Sequence, residues 1–454
     1  MAKGSNNRRP KGPGPAAIAA IKVAGFKSIS DEQTIEIRPL TILAGANSSG
    51  KSSMLQPLLL LKQTLEASYD PGPLLLNGPN VKFTMADQLL SRIGRRHSLA
   101  SFHVGMRMDT GESFQTSFGK EHKMGFRIEQ VDFSGPSGTY SLWPAMTEVE
   151  IKKTGITEHM EFVEETPEGS KKGQWEIVRD RCFLAPVWTA KGVKATPVFT
   201  SGGPDALWED MIPRVVHLPG IRGNPERNHP AAAVGRTYPG TFEKYTASVI
   251  SQWMTEEEDI LAALNTDLKS LRLAGGVTAA RPNAVQIELL VGRLPDTLPT
   301  SPEDRVNIAD VGVGVSQTLP VLVALHAAAP GQLVYIEQPE THLHPRAQFA
   351  LARVLASAAE RGVRVVAETH SSTLLLGVQT LVAEEKLAPD KVKLHWFERG
   401  KDGRTTVRSG ELDDAGAFGD WPEDFDDEML KVQKRYLDAA STVSYTHLTL
   451  PTIL

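Results

Sequence analysis

Eight consecutive residues, Gly45-Ala46-Asn47-Ser48-Ser49-Gly50-Lys51-Ser52, have the types and spacing of a loop that holds phosphate. Glycines let successive backbone N–H groups turn inward around an anion, and a helix starting directly behind them adds the positive end of its dipole. Lys51 would then reach the β- and γ-phosphates of a nucleoside triphosphate, and the Ser52 hydroxyl would ligate Mg²⁺, with Ser53 counted alongside them. The competing reading is a glycine-serine turn that happens to precede a lysine. Such a loop must leave a buried strand and enter a helix. Leu40-Thr41-Ile42-Leu43-Ala44 supplies the strand, and Met54 and Leu55 begin an apolar helix in which Pro57 should kink the backbone or remove a hydrogen bond.

A phosphate loop also needs an acid at the end of a neighbouring buried strand to complete the Mg²⁺ site. Glu337 ends the apolar run Leu333 to Ile336 and opens Glu337-Gln338-Pro339-Glu340-Thr341-His342-Leu343-His344-Pro345. Seen alone, it would be an ordinary strand-terminal glutamate. Upstream, Asp310-Val311-Gly312-Val313-Gly314-Val315-Ser316-Gln317 places two glycines and a serine at a helix start. That is either a second arrangement for receiving an anion or a glycine-rich turn with Ser316 as a plain N-cap. Downstream, Glu368-Thr369-His370-Ser371 ends the strand Val363 to Ala367. The spacing of His342 and His344 would suit a metal, but no cysteine or third ligand stands near them, so a turn is the preferred reading.

The elements that must position these residues read as an α/β chain. Two short strands, Ala19 to Val23 and Thr34 to Ile37, precede the loop strand. From about 99 to 200 the pattern becomes β-rich, with Phe102, Val104, Met106 and Met108 alternating with other residues, as do Phe126 and Ile128. A helical stretch around 241–272, a strand through Val285, Ile287, Leu289 and Val291, and a Pro-rich loop from Leu294 to Pro302 follow. Beyond it, a helix from Ser316, the strand 333–336, a helix through Leu351, Val354, Leu355 and Ala358, and the strand 363–367 alternate in the grammar of a parallel sheet.

Composition sets bounds. A chain of 454 residues is long enough for two or three structural units, or for one domain with a large insertion. A formal charge of −5 gives no global basic signature, so any DNA or RNA contact would need a local patch. The single cysteine, Cys182, excludes an internal disulfide and fits a reducing cytosol. No apolar run reaches the roughly 18 residues of a spanning helix, so a cytoplasmic protein without membrane association is expected. Residues 1–17, rich in Gly, Pro and basic side chains, read as a disordered tail.

The segment 310–317 resembles the signature of ABC-type ATPases in the variant of the SMC-like and OLD-like branch. Glu368-Thr369-His370-Ser371 resembles the switch-histidine segment of the same superfamily, and the His342–Pro345 turn resembles its D-loop. The resemblance implies a P-loop NTPase of ABC-ATPase head type, with the β-rich insertion and the helical segment between the two motif halves. Val216–Pro225, Glu337–Pro345 and Asp420-Trp421-Pro422-Glu423-Asp424-Phe425 are similar to stand-alone AAA-type ATPases with a DUF3696-like C-terminal region. The implied organisation is an ATPase domain split between 18–98 and 301–400. Between its halves lie a β-rich insertion over 99–205 and a helical and strand segment over 206–300. A DUF3696-like region would cover 401–440, and 441–454 resembles translated adapter or vector read-through.

By the same resemblance, Gly312, Gly314, Ser316 and Gln317 of one subunit would close over ATP held by the loop of the other, making a homodimer. His370 would sense the γ-phosphate, and Lys27, in Gly25-Phe26-Lys27-Ser28-Ile29, would touch phosphate unless it is a surface lysine. The residue after the Mg²⁺ acid is usually a glutamate that activates water; here it is Gln338, which can orient water but cannot take its proton. Slow hydrolysis, with Glu340 as a second candidate base, is therefore expected. The family often acts in prokaryotic antiviral defence beside a partner nuclease or other effector. An ATP-gated scaffold, a RecF-like DNA repair ATPase and a transporter subunit are the alternatives.

Overall fold

The structure, a computed structural model, describes residues 15–93, 97–121, 125–136, 138–159, 173–190, 205–292, 304–419, 434–435 and 437–439. The expectations for residues 1–14, the 294–302 loop, Asp420 to Phe425 and 441–454 lie outside them. The chain opens with β1 (Ile18–Ala24), β2 (Gln33–Glu36) and β3 (Leu40–Gly45), and α1 (Lys51–Leu65) follows the loop. Next come β4 (Arg92–Ile93), β5 (His97–Ser98), β6 (Ser101–Met108), β7 (Ser113–Glu121), β8 (Gly125–Gly135) and β9 (Gly138–Leu142). The middle holds α2 (Glu148–Lys153), β10 (Gly173–Asp180), β11 (Phe183–Ala190), α3 (Ala206–Met211), β12 (Val216–Leu218) and β13 (His229–Pro230). Helices α4 (Thr246–Glu256) and α5 (Glu258–Ser270) precede β14 (Val277–Asn283), β15 (Gln286–Gly292) and β16 (Arg305–Asn307). The last part alternates: α6 (Val313–Ala327), β17 (Leu333–Glu337), α7 (Pro345–Glu360), β18 (Arg364–Glu368), α8 (Ser372–Ala383), then β19 (Val392–Arg399) and β20 (Thr405–Gly410).

The central sheet runs β12-β17-β18-β3-β19-β20, parallel throughout except for the edge strand β20. The inner strands β3, β17 and β18 are almost wholly buried because helices or another sheet cover both faces. Their period of two splits the side chains between two cores. Leu40, Ile42, Ala44, Val334, Ile336, Val365 and Ala367 face the core built with α4 to α8. Leu43, Leu333, Tyr335 and Val366 face the other, which holds the apolar side of α1 and the antiparallel sheet β2-β1-β6-β7-β8-β9.

That second sheet takes in much of the β-rich stretch expected as an insertion. Strands β6 to β9 do not form a separate unit; β6 pairs directly with β1, setting Ile21 opposite Met106 and Val23 opposite Val104. Backbone groups on the free edge of β1 need partners, and strands about 80 residues downstream supply them, a register that no local pattern records. Helix α1 runs through Pro57. Its far end is anchored: Lys62 is fully buried, pairs with Glu66 and donates to Pro213 O (3.0 Å) and Tyr238 O (3.2 Å). Arg181 donates to the carbonyls of Thr64, Leu65 and Ala67, where the helix leaves acceptors unpaired.

Candidate functional site

Strand β3, buried along its length, delivers Gly45 to the C-terminal edge of the parallel sheet. The loop there needs its glycines. Gly45 has φ +142°, and a Cβ on it would lie 2.4 Å from Phe397 O; Gly50, the N-cap of α1, has φ +106°, and its Cβ would lie 2.4 Å from Thr405 Oγ1. Lys51 curls back over the loop, donating to Gly45 O (2.9 Å) and Ala46 O (2.8 Å), with His370 Nδ1 3.5 Å away. Burial lowers the Lys51 pKa, and burial followed by the Lys51 charge lowers that of His370. Ser49 Oγ is buried without a partner.

Beside the loop opens a cavity of about 950 Å³. Of the residues expected from sequence, Lys27, Asn47 to Ser53, Gln338 and His370 line it. Lys27 is no plain surface lysine: its Nζ donates to Gln56 Oε1 (2.6 Å) and sits 4.6 Å from the centre of the Phe83 ring. Burial lowers its pKa. Gln56, Gln88, Arg92, Glu368, Arg399 and Asp402 also line the cavity. Sequence reasoning gave none of them a role. Arg399 and Thr405 come from the ends of β19 and β20; Arg399 donates to Ser48 O (3.3 Å), and Thr405 Oγ1 lies 2.7 Å from Ser49 O.

The acid in contact with Ser52 is Glu368, not Glu337. Ser52 Oγ donates to Glu368 Oε1 (2.8 Å), and the buried Tyr335 hydroxyl donates to Oε2 (2.8 Å). Sheet order is the reason: β18 lies between β17 and β3, so the strand end nearest the loop belongs to Glu368. Glu337 stands one strand further out, opposite Glu368 in register, and takes hydrogen bonds from His217 Nε2 (3.2 Å) and Gly220 N (3.2 Å). Burial, followed by the Glu337 charge, pushes the Glu368 pKa up. Burial also opposes the charge on Glu337, yet the hydrogen bond and charge of His217, the Gly220 N–H and Arg222 hold its pKa below the ordinary value.

Glu340 does not line the cavity; its Oε1 accepts from Thr369 Oγ1 (2.7 Å) and His370 N (3.0 Å), bracing the segment that presents His370. Gln317 is spent inside the chain: its Oε1 accepts from Arg222 N (3.3 Å), and its Nε2 donates to the carbonyls of Arg222 and Gly223. Gln338 follows Glu337 with φ +46° and donates its N–H to Glu368 O (2.7 Å). Ser316 is not an N-cap. Gly312 occupies that position, and Ser316 Oγ donates to Val313 O (3.1 Å). Gly312, Gly314, Ser316 and Gln317 are all absent from the lining of the loop cavity, while Gly312 and Val313 are exposed. His344 caps α7, its Nδ1 accepting from Arg346 N (3.3 Å).

A buried strand, a glycine-built anion cradle, a helix N-terminus and paired acids at the carboxyl ends of parallel strands define a phosphate-loop NTPase fold of α/β type. More particularly, residues 297–376 match the family model of the AAA domain, described as putative AbiEii toxin, Type IV TA system. The match takes in α6, Glu337, Gln338, Glu368 and His370. No curated protein matches the chain. Among solved structures it is similar to the Smc head bound to the C-winged helix domain of ScpA, at 13% identity over 88% of this chain and 99% of that one, TM-score 0.44. It is also similar to the SMC head domain from Thermotoga maritima, at 9% identity over 87% and 100%, TM-score 0.38. A third is the Smc head domain with an extended coiled coil bound to the C-terminal domain of ScpA, derived from Pyrococcus furiosus, at 12% identity over 87% and 96%, TM-score 0.42. Among the described residues no helix is long and apolar enough to cross a membrane.

Proposed function

We propose that the chain is a Mg²⁺-dependent ATPase whose slow hydrolysis is coupled to head-to-tail pairing of two copies. The observation that carries this reading is the convergence of Lys51, Ser52, Gln338, Glu368 and His370 on the loop cavity. The donor set fits Mg²⁺: a hydroxyl and neighbouring carboxylates are hard oxygen ligands, and the burial and, after it, the Glu337 charge that raise the Glu368 pKa would be offset by a divalent cation. Ser52 and Glu368 would hold the ion, with Glu337 behind them. When bound, it supplies neutralisation of phosphate charge.

The chain's own groups do the rest. The loop N–H groups and α1 receive the β- and γ-phosphates, Lys51 moves from two loop carbonyls to the phosphate oxygens, and His370 stands beside it to contact the terminal phosphate. Gln338 orients water. Gln338, the residue after Glu337, has no carboxylate to take a proton, and Glu340 is buried outside the cavity lining with Oε1 engaged by Thr369 and His370, which supports slow turnover. Exposure of the α6 start, away from the chain's own loop cavity, supports its use by a second copy. The description of the matching AAA family as a toxin–antitoxin component agrees with a role in prokaryotic defence, beside an effector such as a nuclease and with DNA as a candidate ligand.

Phosphate release under multiple turnover tests this directly. Lys51→Ala should lower it at least about 100-fold, in line with losing a charged contact made to the transferring group; an undiminished rate would sink the proposal. The second reading, an ATP-gated scaffold, is favoured by Gln338. It predicts tight ATP binding by the unmodified chain with phosphate release no faster than in Lys51→Ala.

A further inference from the structure

Gln338 lines the loop cavity with φ +46°, the left-handed region that residues other than glycine hold only when their surroundings fix them there. Its N–H donates to Glu368 O (2.7 Å), and its carbonyl accepts from Thr341 N (3.2 Å). A third contact comes from a distant part of the chain. Arg222 Nη2 donates to Glu337 O (2.7 Å) and, at 3.4 Å, to Gln338 O. Those two carbonyls belong to the planar peptide units on either side of the Gln338 Cα. One guanidinium nitrogen therefore constrains both backbone rotations that set where the Gln338 side chain goes.

Arg222 is tied in turn to α6. Its Nη1 donates to Gln317 O (2.9 Å) and its main-chain N–H to Gln317 Oε1 (3.3 Å), while Gln317 Nε2 donates back to the carbonyls of Arg222 and Gly223. Further along, Arg227 makes a two-pronged pair with Asp310 just ahead of α6, and Gly220 N, on the other side of Arg222, donates to Glu337 Oε2 (3.2 Å). Residues 220–227 thus strap the end of β17 to the start of α6. A cation only 3% exposed is costly to keep. Burial lowers the Arg222 pKa to about 10, against the charges of Glu243, Glu337 and Glu340, so it stays protonated near neutral pH. The planar fork of arginine lets this one side chain hold Gln317 O and the 337–338 backbone together, which the single ammonium of a lysine cannot reproduce.

We infer, resting on the proposed ATPase reading, that Arg222 is the positioning residue for Gln338: it keeps the water-orienting side chain at the loop cavity and links that placement to the α6 start of the same chain. A second copy seated on α6 would then be felt at Gln338 without touching it.

The test is a double-mutant cycle on phosphate release, with each rate expressed per ATP bound so that unfolded chain drops out. Arg222→Lys keeps the charge and offers a single point donor; Arg222→Gln is measured in parallel, so that a fold lost with one substitution leaves the other to decide. Each should lower the rate at least about tenfold while the Kd for ATP stays within about twofold, since the bonds of Arg222 go to Gln317, Glu337 and Gln338. In a Gln338→Ala chain, which has no side-chain amide left to place, the same substitutions should cost less than about twofold. An equal loss in both backgrounds would overturn the inference, because Arg222 would then act independently of Gln338. So would a rate per bound ATP that neither substitution changes. Absence of turnover in the unmodified chain would sink the ATPase reading itself, and the role of Arg222 with it.

Discussion

Around the phosphate loop, Lys51, Ser52, Gln338, Glu368 and His370 all border the 950 Å³ cavity, with Lys51 and Ser52 bonded to their neighbours in the loop and on β18. At the start of α6 the polar side chains turn inward, Ser316 to Val313 O and Gln317 to the 222–223 backbone, and Gly312 and the apolar Val313 are what remain exposed. The two regions therefore offer different chemistry. The loop side presents side chains that can be recruited to a ligand. The α6 side presents a helix start whose polar side chains, Ser316 and Gln317, bond to backbone groups of the chain itself.

The largest effects should come from the loop side, where the two acids can be told apart. Glu368→Gln and Glu337→Gln should each lower phosphate release at least about 100-fold, the scale of losing one charged group at a phosphoryl-transfer centre. Only Glu368→Gln should also raise the Mg²⁺ concentration for half-maximal rate by about tenfold, because only Glu368 touches Ser52. A larger Mg²⁺ shift in Glu337→Gln would reverse the assignment and restore the simpler reading of the sequence.

On the α6 side, the expected loss is of stability and not of nucleotide contact. Gln317→Ala would leave the Arg222 N–H and two carbonyls without partners, costing about 2–3 kcal/mol in urea unfolding. ATP binding to the loop should be unaffected. If ATP turnover collapsed at unchanged stability, Gln317 would have to reach nucleotide after all.

A smaller effect distinguishes the two sides by pH. His395, buried on β19 next to the loop strand, sits with Nε2 against Glu36 O (2.8 Å) and Nδ1 against the Ser409 hydroxyl (2.8 Å). Burial lowers its pKa from 6.5 to about 4. The unfolded chain therefore binds the proton first, so this contribution to stability is full above pH 6.5 and drains away as pH falls towards 4. On the order of 2 kcal/mol should be lost over that window, and His395→Gln should flatten it. Hydrogen exchange at pH 5 should loosen β19 and the loop before α6; equal loosening would erase the distinction.

Much of the loop side was legible because its causes are local. The glycines at 45 and 50, the all-apolar strand before them and the helix after them lie within a short stretch, and each imposes its conformation on its neighbours. The placement of acids was not legible in the same way. Glu337 was read as the acid that completes the Mg²⁺ site from a neighbouring strand; in the sheet, β18 lies between that strand and the loop strand, so Glu368 is the acid that contacts Ser52. Glu368 was visible as the first residue of Glu368-Thr369-His370, but only the position of its strand gives it Ser52. The bonds of Arg222 to Gln317, Glu337 and Gln338 left no trace in the sequence, since they join segments far apart along the chain.

Sequence alone determined the phosphate cradle, the parallel α/β grammar and the absence of a glutamate at 338, because residue type and short-range periodicity fix backbone conformation and chemical capability. Tertiary structure decided which acid meets Ser52, that Glu340 braces His370, that Gln317 is a clamp, and that β6 to β9 belong to the sheet begun by β1. Each of these depends on strand order or long-range register, which is set by packing and by the need to pair backbone groups across distant parts of the chain.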